Sequence, residues 1–98
     1  MKQYTGEFQS TSFHDTVIKT TISKLIEVCG EPSMEQNDGR DKVNIEWEME
    51  TEDGDMFIIY DWKEDRKIGD NEQITFHIGG VGKQVTEQAL VELKRELR

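Results

Sequence analysis

Residues 42–62 read Lys42-Val43-Asn44-Ile45-Glu46-Trp47-Glu48-Met49-Glu50-Thr51-Glu52-Asp53-Gly54-Asp55-Met56-Phe57-Ile58-Ile59-Tyr60-Asp61-Trp62. Val43, Ile45, Trp47 and Met49 alternate with Asn44, Glu46, Glu48 and Glu50, the period of two that marks a half-buried strand. Glu52-Asp53-Gly54 supplies the residues of a tight turn, because glycine and short acidic side chains tolerate the backbone angles a hairpin demands. The chain then returns over 55–62 with Phe57 and Ile59 on one face and Ile58, Tyr60 and Trp62 on the other. A strand apolar on both faces belongs in the middle of a sheet. This hairpin makes the domain a sheet protein.

Outward from the hairpin, residues 63–72 form a charged loop, and Ile74, Phe76 and Ile78 alternate with Thr75 and His77 as a further strand. Gly79-Gly80-Val81-Gly82 breaks that strand. A last helix follows, with Val85, Ala89, Leu90, Leu93 and Leu97 on its apolar face and Lys94, Arg95 and Arg98 near its C-terminus, where they suit the helix dipole. Upstream, Asn37-Asp38-Gly39 places a loop over 33–41. Ile18, Ile22, Leu25, Ile26 and Cys29 recur as one helical face, capped by Ser12 or Asp15 and stopped by Gly30 and Pro32. The β-branched residues Thr16–Ile18 and Thr20–Ile22 weaken that helix, so packing must hold it. Residues 4–10 suggest a short first strand. The expected order is (β)αβββα within one α+β domain over residues 1–98. It has an antiparallel sheet of three to four strands, with two helices packed on one face.

The chain has 98 residues, 12 basic and 21 acidic, with a net charge of −9. The charge is concentrated: residues 31–65 carry three basic and thirteen acidic side chains, while the two flanks nearly cancel. This distribution argues against direct nucleic-acid binding, which needs a basic footprint. A single cysteine excludes an internal disulfide and suits the cytoplasm of a reducing cell. No apolar run approaches the ~20 residues that span a bilayer.

Glu46, Glu48 and Glu50 point to one side of their strand, about 6.8 Å apart. Glu52, Asp53 and Asp55 extend the patch around the turn. The spacing approaches that of successive phosphates on an extended nucleic acid, so the surface suits an Arg/Lys-lined groove built for DNA or RNA. The plainer alternative is a solvated face that keeps the domain soluble. Trp47 reads as core. Tyr60 and Trp62 alternate, and burial of Trp62 against a helix is the expectation; an exposed pair would instead mark a partner contact.

The segment His77-Ile78-Gly79-Gly80-Val81-Gly82-Lys83 leads from strand to helix, where backbone N–H groups favour anions. It departs from a phosphate-binding loop: His77 stands where the first glycine belongs, and Gln84 follows Lys83. A tight connection accounts for Gly79, Gly80 and Gly82 without a ligand. A nucleotide or other phosphorylated small molecule on those glycines, with Lys83 as counter-charge, is the alternative. Catalytic parts are few. Cys29, His77 and Asp61 can be written as a triad, but Cys29 lies on an apolar face, and His14 and His77 lack metal-ligand spacing. The expectation is a binding protein, with no catalytic residues, metal or cofactor.

Tyr60-Asp61-Trp62-Lys63 and Phe76-His77-Ile78-Gly79-Gly80, together with Gly30-Glu31-Pro32 and Glu46-Trp47-Glu48, resemble segments shared by a group of small, uncharacterised bacteriophage proteins. The likeness covers roughly residues 22–83, and Phe76 stands where that group has Trp. The resemblance implies a phage context and no activity. With the acidic strand, it sets the functional expectation. This is an acidic phage protein that inhibits or modulates a host nucleic-acid-handling protein, such as a CRISPR or restriction effector, or else self-associates through its sheet. The αβββα order also resembles the double-stranded-RNA-binding domain. That domain's lysine-rich helix junction is reduced here to Lys83, so RNA binding is not implied.

Overall fold

A computed structural model describes residues 1–35, 43–64 and 66–97. Eight elements follow along the chain: β1 Lys2–Gln3, β2 Ser12–Thr20, α1 Ile22–Cys29, β3 Met34–Glu35, β4 Ile45–Glu50, β5 Met56–Tyr60, β6 Ile74–Gly80 and α2 Lys83–Glu96. All strand pairs are antiparallel, in the order β1-β4-β5-β6-β2, with β3 sharing the outer edge of β4 with β1. The α+β class stands. The sheet has six strands rather than three or four.

The central hairpin follows its sequence pattern. Trp47 pairs with Ile59 and Met49 with Phe57. At the turn, Thr51 N donates to Asp55 O (2.9 Å), and Gly54 takes φ 85°, which favours glycine. β5 is central, as its two apolar faces require. One sheet face carries Ile45, Trp47, Met49, Phe57, Ile59, Phe76 and Ile78. These join Ile22, Leu25 and Cys29 of α1 and Ala89 and Leu93 of α2 in a single core. Trp47 closes its end of that core by donating Nε1–H to Gly30 O at 2.9 Å. The loop of 63–72, although charged, sends Ile68 fully into the same core.

The largest departure from expectation is residues 12–20. The expected helix begins only at Ile22, capped by Thr21, whose hydroxyl accepts from Lys24 N at 3.1 Å. The nine residues before it are β2. Thr16, Ile18 and Thr20 turn inward while Val17 and Lys19 turn outward, so the β-branched run takes the conformation it prefers. The spacing Ile18–Ile22 mimics a helical turn only because a buried strand position runs into a buried helix position. β2 also carries a bulge: Phe13 pairs with Gly79 and Val17 with His77, which inserts two residues and places Asp15 at φ 65°.

Three smaller expectations are corrected too. Residues 4–10 form no strand: β1 ends at Gln3, and the chain then crosses from one edge of the sheet to the other to reach β2. On the way Gln9 N lies 3.4 Å from Met56 Sδ, so this strap covers the Met56 end of the open face. Met34–Glu35 is a short strand, paired to Ile45 and Glu46, within the expected loop; the Asn37-Asp38-Gly39 turn lies outside the described residues. Finally β6 runs through Gly79 and Gly80. A Cβ on Gly80 would sit 2.9 Å from Thr86 Cγ2, so this glycine lets α2 close onto the sheet.

Candidate functional site

With both helices joined to one core, the opposite face of the sheet is left open. Its layout follows from register. One row runs Glu46, Tyr60, His77, Val17 across β4, β5, β6 and β2; the next runs Glu48, Ile58, Gly79, Phe13; Glu50 pairs with Met56 beyond. The face therefore has an acidic half on β4 and an aromatic half on β5, β6 and β2.

The aromatic half is a connected group. Phe13 stacks on His77 with centroids 4.2 Å apart, Tyr60 meets His77 edge-on at 5.5 Å, and Trp62 lies 6.4 Å from both Tyr60 and His77. Lys63 Nζ stands 5.6 Å from the Trp62 ring centre. Phe13 is 40% exposed, and Val17 and Trp62 are each 41% exposed. Trp62 is thus exposed rather than buried against a helix, while Tyr60 beside it is half-buried. Burial holds His77 below the ordinary imidazole range, so the ring is neutral at physiological pH. Of this half, the sequence singled out Trp62, with Tyr60 beside it, and not Phe13 or His77 as a partner contact.

In the acidic half, Glu46, Glu48 and Glu50 project from the open face and are half-buried at their strand. Glu50 pairs with the exposed Lys2 at 3.7 Å. Glu52 turns toward the helix layer, where Arg95 Nη1 lies 3.1 Å from Oε1, so it leaves the row. Glu46, Glu48, Asp53 and Asp55 have no cation within ion-pair distance among the described residues. Among the described residues, cations pair with two of the six predicted carboxylates, Glu50 and Glu52.

Burial, and next the charge on Glu48, raise the Glu46 carboxyl above its ordinary 4.5. Between the unfolded value and the raised folded one, the folded chain keeps a proton that the unfolded chain has released, so stability falls as pH rises through that window. Glu46→Gln is expected to raise the melting temperature at neutral pH by no more than about 3 °C, since partial exposure screens the effect. It should also flatten the decline above pH 4.5. A melt series from pH 4 to 8 checks both.

The remaining candidates are dispersed. Cys29 is in the core, and burial pushes its thiol up to about 12, while His77 is on the opposite sheet face. The written triad is not assembled. Asp61 is fully buried and structural: Oδ1 accepts from Asn44 N (2.8 Å) and Ile45 N (3.0 Å), and Oδ2 from Asn44 Nδ2 (2.8 Å). Gly79 and Gly80 are paired strand residues, Gly82 is the extended N-cap of α2 without a side-chain cap bond, and Lys83 opens that helix. Only Val81 and Gly82 remain as loop for the anion reading, with Lys83 the first residue of α2. Among the described residues no group of three or more His, Cys, Asp or Glu side chains is disposed to hold a metal, and no helix is long and apolar enough to cross a membrane.

Comparison with protein-family models, with curated proteins and with solved structures finds no match for this chain.

Proposed function

We propose that this chain is a binding protein that docks its open sheet face onto the basic surface of a nucleic-acid-handling protein and so inhibits or modulates it. The observation that carries the reading is one face holding two complementary parts. Glu46 and Glu48 stand without cations among the described residues, and alongside them lies a connected aromatic group in which Phe13 and Trp62 are exposed and Tyr60 and His77 half-buried. Unpaired carboxylates steer a cationic partner and set register, while exposed aromatic anchors supply the area that holds it. A solubilising face needs the first feature only. The likeness to small phage proteins supports a host defence effector as the partner.

The reading is tested with the tagged chain and its Glu46→Lys, Glu48→Lys, Glu50→Lys variant on nuclease-treated bacterial lysate, after circular dichroism shows that both fold. The wild-type chain is expected to retain a nucleic-acid-binding protein, which elutes as salt rises and is displaced by added DNA or RNA. Charge reversal should weaken retention by at least about tenfold. Equal retention by the variant, or a complex indifferent to added nucleic acid, refutes it.

A further inference from the structure

A second surface, at the β2 edge of the sheet where Val17 reaches the open face, has the opposite character. Where β2, α1 and α2 meet, a cleft of about 490 Å³ opens, lined by Ile18, Lys19, Thr20, Lys24, Lys94 and Leu97 among others. Its volume lies in the range of small-molecule sites, about 300–1,000 Å³. Three lysines from three different elements converge on it, in a chain with a net charge of −9. None of the three has an ion-pair partner among the described residues.

Two features of the wall sharpen this. Lys24 occupies the first turn of α1, which contains no acidic residue, although an acid there would complement the helix dipole and acids are abundant in this chain. β2 is an edge strand, so every second residue over 17–20 turns its N–H and C=O away from β6 and toward the side where the cleft lies. The lysines supply charge, the strand edge supplies neutral donors, and Val17 and Leu97 supply an apolar wall. Glu27 and Glu96 line the smaller adjoining cleft, which shares Lys24 and Leu97, and so bound the cationic region on one side.

We infer that this cleft binds a small molecule carrying a phosphate monoester on an apolar body. A dianion answers several ammonium groups at once and accepts from the strand edge, while the apolar body rests on Val17 and Leu97. The cleft adjoins the open face at Val17, with β5 and β6 between it and the β4 carboxylates, and neither reading needs the other.

The experiment is a heteronuclear NMR titration of the full chain with phenyl phosphate, inorganic phosphate and phenol, at constant ionic strength held with sodium chloride. Phenyl phosphate is expected to shift the amides of Lys19, Thr20, Lys24 and Lys94 saturably and at lower concentration than inorganic phosphate, with phenol causing no shift. The variant Lys19→Gln, Lys24→Gln, Lys94→Gln, all exposed positions, should lose affinity at least about tenfold. The single Lys19→Gln variant serves if the triple one does not fold. The inference is overturned by no saturable shift at about 10 mM phenyl phosphate. Shifts that persist in the variant, or that map to Val81–Lys83 instead, overturn it equally.

Discussion

Trp47→Ala is expected to cost about 3–5 kcal/mol of folding stability, a large share of what a domain of this size possesses. The indole is 0% exposed, sits in the T-shaped arrangement with Phe76 at 6.1 Å, and donates to Gly30 O at 2.9 Å. Truncation opens a cavity between β4 and α1, and also removes the donor to the carbonyl of Gly30, the residue that caps that helix. Thermal melts followed by circular dichroism should show a fall of roughly 15 °C or more, or loss of a cooperative transition. Trp62→Ala is the control. With its ring 41% exposed on the open face, it should change stability by less than about 1 kcal/mol. A Trp47→Ala variant melting within about 5 °C of wild type would mean that the core is not built around this residue.

Asp61→Ala should be the second most damaging change, at about 3 kcal/mol, although it removes no apolar contact. The carboxylate gathers the N–H groups of Asn44 and Ile45 and the Asn44 side-chain amide, all out of water. Alanine removes the acceptor that the buried Asn44 and Ile45 N–H groups share. Asp61→Asn keeps the shape but turns a donor toward Asn44 Nδ2, and should fall between, at about 1–2 kcal/mol. Urea midpoints give the order, and amide exchange at Asn44 and Ile45 gives the cause. Unchanged exchange at those two amides in Asp61→Ala would refute the assignment.

The contrast between β4 and β2 explains what could be read in advance. On β4 every apolar residue from Ile45 to Met49 alternates with a charged one, so parity is unambiguous, and the three glutamates could be placed on one face without knowing any neighbour. On β2 the outward positions include Phe13 and Val17, so buried and exposed faces have similar hydropathy and the period of two is hidden. Its continuation into α1 then supplied a spacing that suited a helix. β1 and β3 span two residues each, too short for any periodic signal. The two halves of the open face differ for the same reason. The acidic half lies on one strand. The aromatic half joins Phe13, Tyr60 and His77 from three strands, and depends on a pairing register with a two-residue bulge that local pattern does not encode. The lysine cleft is more distant still, since Lys19, Lys24 and Lys94 meet only once β2 and α2 are packed.

The strap joining opposite sheet edges has a kinetic consequence. β1 finds its partner some 46 residues downstream and β2 some 60, so β2 stays unmated until β6 has been made. Contact order is accordingly high, and assembly is slower than for a helical bundle of equal length. Nascent β2, with its alternating valine, isoleucine and threonine, is the segment that a chaperone or another unfinished copy would meet first.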